Sequence, residues 1–370
     1  MPDAATLKLI QHLSEAAGPP GYEDPVRRRV ADELHDVGTL RHDRLGGIQC
    51  EKVGDPAGPR VLLDSHLDEV GMMVQQIDDD GRLRFVTLGG FWAHVLLAQR
   101  VRVLTGATGP ADADWSEIPG IIASQPPHFL TEAERGRVQA IETLSIDVGA
   151  SDPAGTASLG IAVGDPVVPD AEFRPMGVDG VYSGKALDNR LGVALMCQTM
   201  QALADRDHPN TVIGVGAVQE EVGTRGAGPA CELANPDVAI VLECTPSDDF
   251  ESDDTPQGAV GAGPQIRFCD PRAIAHPRLL ALLKELSSEL DIPVQWAVRR
   301  SGGTDAAAIQ TRGHGVPTVV VAVPARYIHS HVALFQISDY LAARRLVFET
   351  VLRLDRKTVD SWTCNDRIRS

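Results

Sequence analysis

The sequence has no pair of cysteines at CxxC spacing. Its six cysteines, at 50, 197, 231, 244, 269 and 364, are widely separated and mostly lie in apolar stretches, which reads as reduced core thiols and not as a disulfide framework. Basic charge is also in short supply. Against 51 acidic residues stand 34 Lys and Arg, and the net charge of −17 leaves no general phosphate-neutralising surface, so nucleic acid is not an expected partner. No segment carries eighteen uninterrupted apolar residues, so no membrane partner is expected either. The N-terminal stretch MPDAATLKLIQHLSEAAG has helical periodicity in place of the apolar block and cleavage site of a signal peptide. The simplest compartment is the cytoplasm.

What is present is a chain of 370 residues, 43% hydrophobic and 23% charged, long enough for two domains or for one large domain with an insertion. Leu7, Leu9, Ile10 and Leu13 share one helical face over 3–16, and GPPGYED then supplies a stop, a turn and the acidic start of a second helix over 24–36. Residues 40–52 read as strand and turn, and 60–71 hold a buried strand that ends in charge. Between 73 and 164 the pattern changes to short β-type runs such as LRFVTL and RVRVLT separated by turns, the mark of a β-rich insertion. Alternation then resumes, with helices at 186–206 and 277–290 and strands at 211–218, 238–243 and 316–324. The expected fold is an α/β sandwich with helices on both faces of the sheet, built from 1–72 and 165–370 and interrupted by 73–164.

Acids and histidines gather where these apolar strands end, which is where α/β sheets place their sites. QEEVGTRG follows the run VIGVGAV, and of its paired carboxylates, Glu220 and Glu221, one can bind a cation while the other takes a proton from water. Each alone reads equally well as a solvated loop acid; the company decides. His66 and Asp68 alternate with Leu67, so they point the same way in a strand and the carboxylate can orient the imidazole. Asp188, between a glycine-containing loop and a helix, is a candidate bridge. Glu243 and His329 close two further strands, with His331 as a competitor two residues on. One bridging carboxylate, with a terminal carboxylate and an imidazole for each ion, is the inventory of a two-metal site. GGTDA, with Gly303, Thr304 and Asp305, either shapes a substrate pocket or caps the helix that follows. Lys185 reads as well as a solvated lysine, and most remaining histidines as surface or structural residues.

Together these stretches resemble the TET aminopeptidases, a metallopeptidase family with glutamyl and leucyl aminopeptidases and proteins once labelled endoglucanases. The resemblance runs nearly end to end through GPPGYED (18–24), SHLDEVG (65–71), QPPH (125–128), IDVGA (146–150), GKALDNRLG (184–192), QEEVGTRGA (219–227), GGTDAAA (302–308) and RYIHS (326–330). It implies a zinc-exopeptidase-like α/β/α sandwich carrying a barrel-like domain used in oligomerisation. It also implies His66 as a ligand of one metal, Asp188 as the bridge, Glu221 and His329 as ligands of the other, Glu220 as general base and Asp68 as the histidine-orienting acid. The cofactors implied are two divalent ions, zinc or cobalt. The partners implied are short peptides and further copies of the chain, as a dodecamer built from dimers. One departure stands out. Where the family commonly ends the strand VAIVLE in aspartate before threonine, this chain has Glu243 followed by Cys244 and Thr245, a ligand longer by one methylene.

The reaction expected is metal-assisted hydrolysis at the N-terminus of short peptides. An N-acyl amino-acid or amide hydrolase on the same core is the competing enzyme reading. A glycosidase would need paired carboxylates without metal-binding histidines, and a non-catalytic assembly protein would not keep the whole site.

Overall fold

The computed structural model describes residues 4–107, 115–250 and 256–362. Its strands are β1 Thr39–His42, β2 Ile48–Val53, β3 Arg60–His66, β4 Gly71–Ile77, β5 Leu83–Leu88, β6 Arg100–Thr105, β7 Ser116–Ile122, β8 Ile146–Asp147 and β9 Pro166–Pro169. They continue with β10 Arg174–Pro175, β11 Val181–Gly184, β12 Thr211–Ala217, β13 Val238–Pro246, β14 Gln265–Cys269, β15 Gln295–Val298, β16 Thr318–Arg326 and β17 Ala333–Gln336.

One large sheet runs in the order β1-β2-β12-β3-β13-β16-β17-β11-β10, with β14 and β15 extending from β16. Its central strands β12, β3, β13 and β16 are parallel. They are near-continuous apolar runs, TVIGVGA in β12 and VVVAV within β16, because both faces of the sheet are covered. The pleat divides β3 between two cores: Leu63 packs into the larger one and Leu62 into the smaller. Helices Ala4–Glu15, Asp24–Leu34, Leu187–Leu203, Pro277–Glu289 and Ile337–Arg353 close the larger core; Ala227–Ala234 and Ala306–Ile309 close the smaller.

After β3 the chain leaves the sheet to build a closed barrel, β4-β5-β8-β7-β6-β9, with its own core of Met72, Phe85, Val103, Ile122, Ile146 and Val167. The fold is therefore an α/β sandwich carrying a barrel, and the barrel strands run from Gly71 to Pro169. Cys50, Cys197, Cys231 and Cys244 are buried free thiols and Cys269 is half-buried, while Cys364 lies outside the described residues.

A buried ion cluster joins the parts. Glu69, just beyond β3, accepts through Oε1 from Lys185 Nζ at 2.7 Å and Arg190 Nη2 at 3.3 Å. Lys185 also donates to the carbonyls of Ser14 and Ala16, and Arg190 to those of Leu13, Ala16, Gly18 and Leu67. Lys185 is thus no solvated lysine; burial brings its ammonium down to about 8. The three side chains fix the end of the first helix, the end of β3 and the start of Leu187–Leu203 in one place. Glu69→Ala would leave two buried cations without their counter-charge, and the expected loss is roughly 3–5 kcal/mol of unfolding free energy, read from a denaturant titration.

Candidate metal centre

Four adjacent parallel strands deliver their site residues to one edge of the sheet. His66 ends β3 beside Ala217, the last residue of β12. Beyond β12 the chain turns through Gln219, at a φ of 58°, and presents Glu220 and Glu221. Glu243 lies near the end of β13, and His329 follows β16, also at positive φ. Asp188 reaches the same place from the start of helix Leu187–Leu203. That helix packs close because residue 192 is glycine: a Cβ there would overlap the carbonyl oxygen of Leu242 and the carboxamide of Asn189.

Asp188 faces both histidines. Its Oδ1 is 3.4 Å from His66 Nε2 and its Oδ2 is 3.5 Å from His329 Nε2. Glu243 Oε2 stands 3.8 Å from His66 Nε2, and Glu221 Oε2 3.6 Å from His329 Nε2. Such distances are long for hydrogen bonds. They suit donors around a shared cation, since ligands about 2.1 Å from a tetrahedral ion lie roughly 3.4 Å from one another. His66, Asp188 and Glu243 form one trio and Asp188, Glu221 and His329 a second, the donor atoms of each within 4.8 Å of one another. The added methylene of Glu243 leaves its carboxylate within the first trio.

Both imidazoles are held as ligands need to be. His66 Nδ1 lies 3.1 Å from the main-chain carbonyl of Asp68, and His329 Nδ1 lies 2.8 Å from that of Gly90. With Nδ1–H donating to a carbonyl, the Nε2 lone pair is left facing the carboxylates. The Asp68 carboxylate, 3.6 Å from His66 Nδ1, is engaged elsewhere: Oδ1 accepts from the Glu220 amide at 2.9 Å and Oδ2 from that of Glu221 at 3.0 Å. Glu23 Oε1 accepts from the preceding amide, Gln219, at 3.1 Å. Two buried carboxyls thus hold three consecutive amides of the turn that carries Glu220 and Glu221.

Burial raises the Glu220 carboxyl to about 6, with Asp68 and Asp188 adding to the shift against the opposing charge of His66. Burial likewise lifts Glu221 to about 8 and Glu243 well above the usual range. Burial works against the charged form of both histidines, but Asp188 and the neighbouring acids outweigh it, raising His66 well above its usual value and His329 to about 10. Asp188 is pushed up by burial and pulled further down by the two imidazoles. Without cations the cluster balances itself with protons. A donor set of buried carboxylates and neutral-capable imidazoles fits divalent metal.

Beside the two trios lies a cavity of about 540 Å³. Gly303 and Thr304 line it, whereas Asp305 does not: its carboxyl is buried behind the wall, where burial and then the charge of Asp64 raise it well above the usual range. Thr304 serves the local helix as well, its Oγ1 accepting from the Ala306 amide at 3.3 Å. His331 stands apart from the trios and is buried, and burial brings it down to about 4 against the opposing pull of the Arg100 backbone and Asp170.

The sequence profile of the M42 glutamyl aminopeptidases matches residues 46–346. The chain belongs to the M42 aminopeptidase family. It is 34% identical to the glutamyl aminopeptidase of Lactococcus lactis over 95% of this chain and 97% of that one. To the lysyl aminopeptidase of Pyrococcus furiosus it is 31% identical, over 90% of this chain and 92% of the relative. A TET aminopeptidase crystal structure from a marine-sediment Thaumarchaeota archaeon superposes with a TM-score of 0.91 at 37% identity, covering 97% of this chain and all of the other. Membership makes this protein a metallo-aminopeptidase, a hydrolase of a family that uses divalent metals.

Several contributors to this M42 site escape a reading by residue type. Glu23 and Glu69 both sit in the motif blocks GPPGYED and SHLDEVG, so their neighbourhood was visible and their roles were not. The Gly90 carbonyl carries no side-chain signal at all.

Two tests follow from this geometry. A metal held by the second trio would displace protons from His329 and Glu221, whose folded values are raised, so metal affinity of the stripped protein should climb from pH 6 to pH 8 by roughly tenfold per pH unit for each proton released; metal titration at the two pH values reads it. Gly89, at a φ of 93°, lies with its absent Cβ 3.2 Å from Glu221 Cβ and 2.8 Å from Val70 Cγ1. Gly89→Ala should shift Glu221 and the Gly90 carbonyl together and lower metal affinity by about 10–100-fold, measured by competition with a chelator.

Proposed function

We propose that this chain is a two-metal aminopeptidase that removes N-terminal residues from short peptides. The observation that carries the reading is the pair of oxygens on Asp188, each facing a different histidine, with Glu220 beside both trios and a member of neither. His66, Asp188 and Glu243 would hold one ion, and Asp188, Glu221 and His329 the other, with zinc or cobalt both suited to imidazole and carboxylate. Two such ions supply Lewis-acid polarisation of the scissile carbonyl and lower the pKa of an attacking water.

The chain's own residues do the rest. Glu220, with a carboxyl near 6, accepts the water's proton and returns it to the leaving amine, a range suited to a general base at neutral pH. Asp68 and Glu23 keep that carboxylate aimed by holding its turn, which makes Asp68 a positioning residue. Gly303 and Thr304 form part of the cavity wall where the substrate docks.

The barrel, taken as an inserted domain over about 73–164, exposes Val86, Trp92, Ile121, Phe129 and Val138. Such side chains support self-association, as the resemblance to TET enzymes implies for a dodecamer built from dimers. The buried free thiols suit a reducing compartment, the cytoplasm. Among the described residues no helix is long and apolar enough to cross a membrane.

Glu220→Gln should keep both ions, counted by elemental analysis, while kcat falls by about 10²–10⁴; Glu221→Gln should instead weaken metal binding. An inverted result would reverse the two roles. The loaded enzyme should cleave aminoacyl anilides and turn over their N-acetyl analogues at least ~100-fold more slowly. Hydrolysis of N-acyl amino acids without cleavage of free-amine substrates would identify an acylase on the same site.

A further inference from the structure

Asp188, shared by the two trios, is followed in the chain by two fully buried polar side chains, Asn189 and Arg190. Each reaches the main chain beside one of the other two members of the first trio. Asn189 Nδ2 donates to the carbonyl of Leu242 at 2.8 Å, one residue before Glu243. Arg190 Nε donates to the carbonyl of Leu67 at 2.9 Å, one residue after His66.

The sheet explains why side chains are needed there. Parallel pairing between β3 and β13 ends at Asp64 and Val241, so His66 and Glu243 are delivered from beyond the last rung of that ladder. Each strand keeps its other neighbour, β3 pairing with β12 as far as His66 and β13 with β16 as far as Pro246, but the backbone of one is no longer tied to the backbone of the other. The helix Leu187–Leu203 joins them instead. Its start is not regular, with ψ of 106° at Asp188 and 39° at Asn189, so Asp188 does not take its direction from helix geometry.

Asn189 fixes that start. While Nδ2 holds Leu242, Oδ1 accepts from the Gly192 amide at 3.1 Å, three residues on, the bond by which a capping side chain closes a first turn. One carboxamide thus caps the helix with its oxygen and clamps β13 with its nitrogen. The space is fitted to it, since a Cβ on residue 192 would overlap both the Leu242 carbonyl oxygen and the carboxamide. Arg190 does the corresponding work on the His66 side, where Glu69 and the carbonyls of Leu13, Ala16 and Gly18 hold its guanidinium in place. In the trio that results, Asp188 Oδ1 and Glu243 Oε2 stand 3.4 and 3.8 Å from His66 Nε2.

A buried carboxamide contributes stability wherever its hydrogen bonds are made. Asn210 is the comparison within this chain: it is equally buried and its Nδ2 donates to the carbonyls of Val351 and Leu354 at 2.6 and 2.9 Å, but it lies at the opposite end of β12 from Glu220. Asn189 differs in what it joins, a residue beside Asp188 to a residue beside Glu243. We propose that Asn189 is a positioning residue for the first trio, its carboxamide setting the spacing of Asp188 and Glu243 around His66. It is not itself a ligand. The proposal rests on the two-metal reading.

Two half-sites isolate the effect: His329→Ala leaves the first trio whole, and His66→Ala leaves the second. Adding Asn189→Ala should lower cobalt affinity, read by chelator competition, by about 10–100-fold in the His329→Ala protein and by less than about threefold in the His66→Ala protein. The visible absorption of cobalt in the first half-site should change as well, since it reports ligand geometry. Gly192→Ala, which displaces the same carboxamide from the helix side, should give the same pattern. Asn210→Ala should lower the denaturant midpoint and leave cobalt affinity and spectrum as in the parent. Circular dichroism establishes that each variant is folded, and Asn189→Ser, with the same expectation, takes the place of Asn189→Ala if that chain does not fold. Equal losses in the two half-sites, an Asn210→Ala effect on cobalt as large as that of Asn189→Ala, or unchanged affinity in the first half-site each overturn the proposal and leave the two-metal reading standing. A parent protein that takes up fewer than two cobalt ions overturns both.

Discussion

Three consecutive amides, those of Gln219, Glu220 and Glu221, point into two buried carboxyls, and the chemistry of the site hangs on that contact. A tight turn at the end of a parallel strand has unpaired N–H groups, and leaving them unsatisfied in a buried place is costly. Glu23 and Asp68 satisfy them from two directions, the start of the second helix and the end of β3. The same contact fixes where Glu220 and Glu221 point, so one set of hydrogen bonds positions both the carboxylate proposed as general base and the one proposed as a metal ligand. It also accounts for Gln219 in the left-handed region, since the turn is held by more bonds than that backbone strain opposes.

The second constraint is charge. Asp188, Glu220, Glu221 and Glu243 crowd one cavity, and of the arginines that also line it Arg267 acts on Glu243. Without metal, protons on His66, His329, Glu221 and Glu243 keep the cluster together. The protein's own buried cations, Lys185 and Arg190, are spent on Glu69 and on carbonyls of the first helix. That arrangement keeps them away from the ligands and leaves the carboxylates free for divalent ions. The ion cluster and the candidate metal cluster interleave in sequence, at 185–190 and 66–69: Lys185 and Arg190 bind Glu69, while Asp188 faces His66.

How much of this was legible in the sequence depends on how local each contact is. VIGVGAV followed by paired glutamates, and VAIVLE ending in a glutamate, announce buried strands that end in acids, and the sheet brings those ends together. The helices and strands of the α/β layer were readable from their apolar periods. The helix Ile337–Arg353 was not among those read, although Ile337, Tyr340, Ala343, Val347 and Val351 recur at helical spacing on its buried face. Nor were β14 and β15, short strands in which β14 pairs with β16 about fifty residues later in the chain and β15 pairs with β14 alone. Arg267 in β14, Arg272 after it and Arg299 after β15 line the cavity, so its acidic residues were visible in the sequence and its basic ones were not. Asp68 shows the same limit at one residue: its spacing from His66 predicts a carboxylate beside the imidazole, and the carboxylate does stand 3.6 Å from Nδ1, but that spacing does not announce that its carbonyl lies nearer or that its oxygens also accept the amides of Glu220 and Glu221.

The two trios differ in what holds them. His66 is buried, oriented by a carbonyl two residues along its own chain, and flanked by β12 and β13. His329 is half-exposed, sits at a φ of 58°, and is oriented by Gly90, a residue between barrel strands β5 and β6. Its companion Glu221 packs against Gly89 of the same loop. In the trio proposed to hold the second ion, imidazole and Glu221 carboxylate both lean on the barrel, so its geometry depends on the mutual position of barrel and sheet. A substitution in the β5–β6 loop therefore acts directly on His329 and Glu221, whereas the barrel reaches His66 through the 67–70 link into β4, where the Asp68 carbonyl orients its ring, and through the shared Asp188.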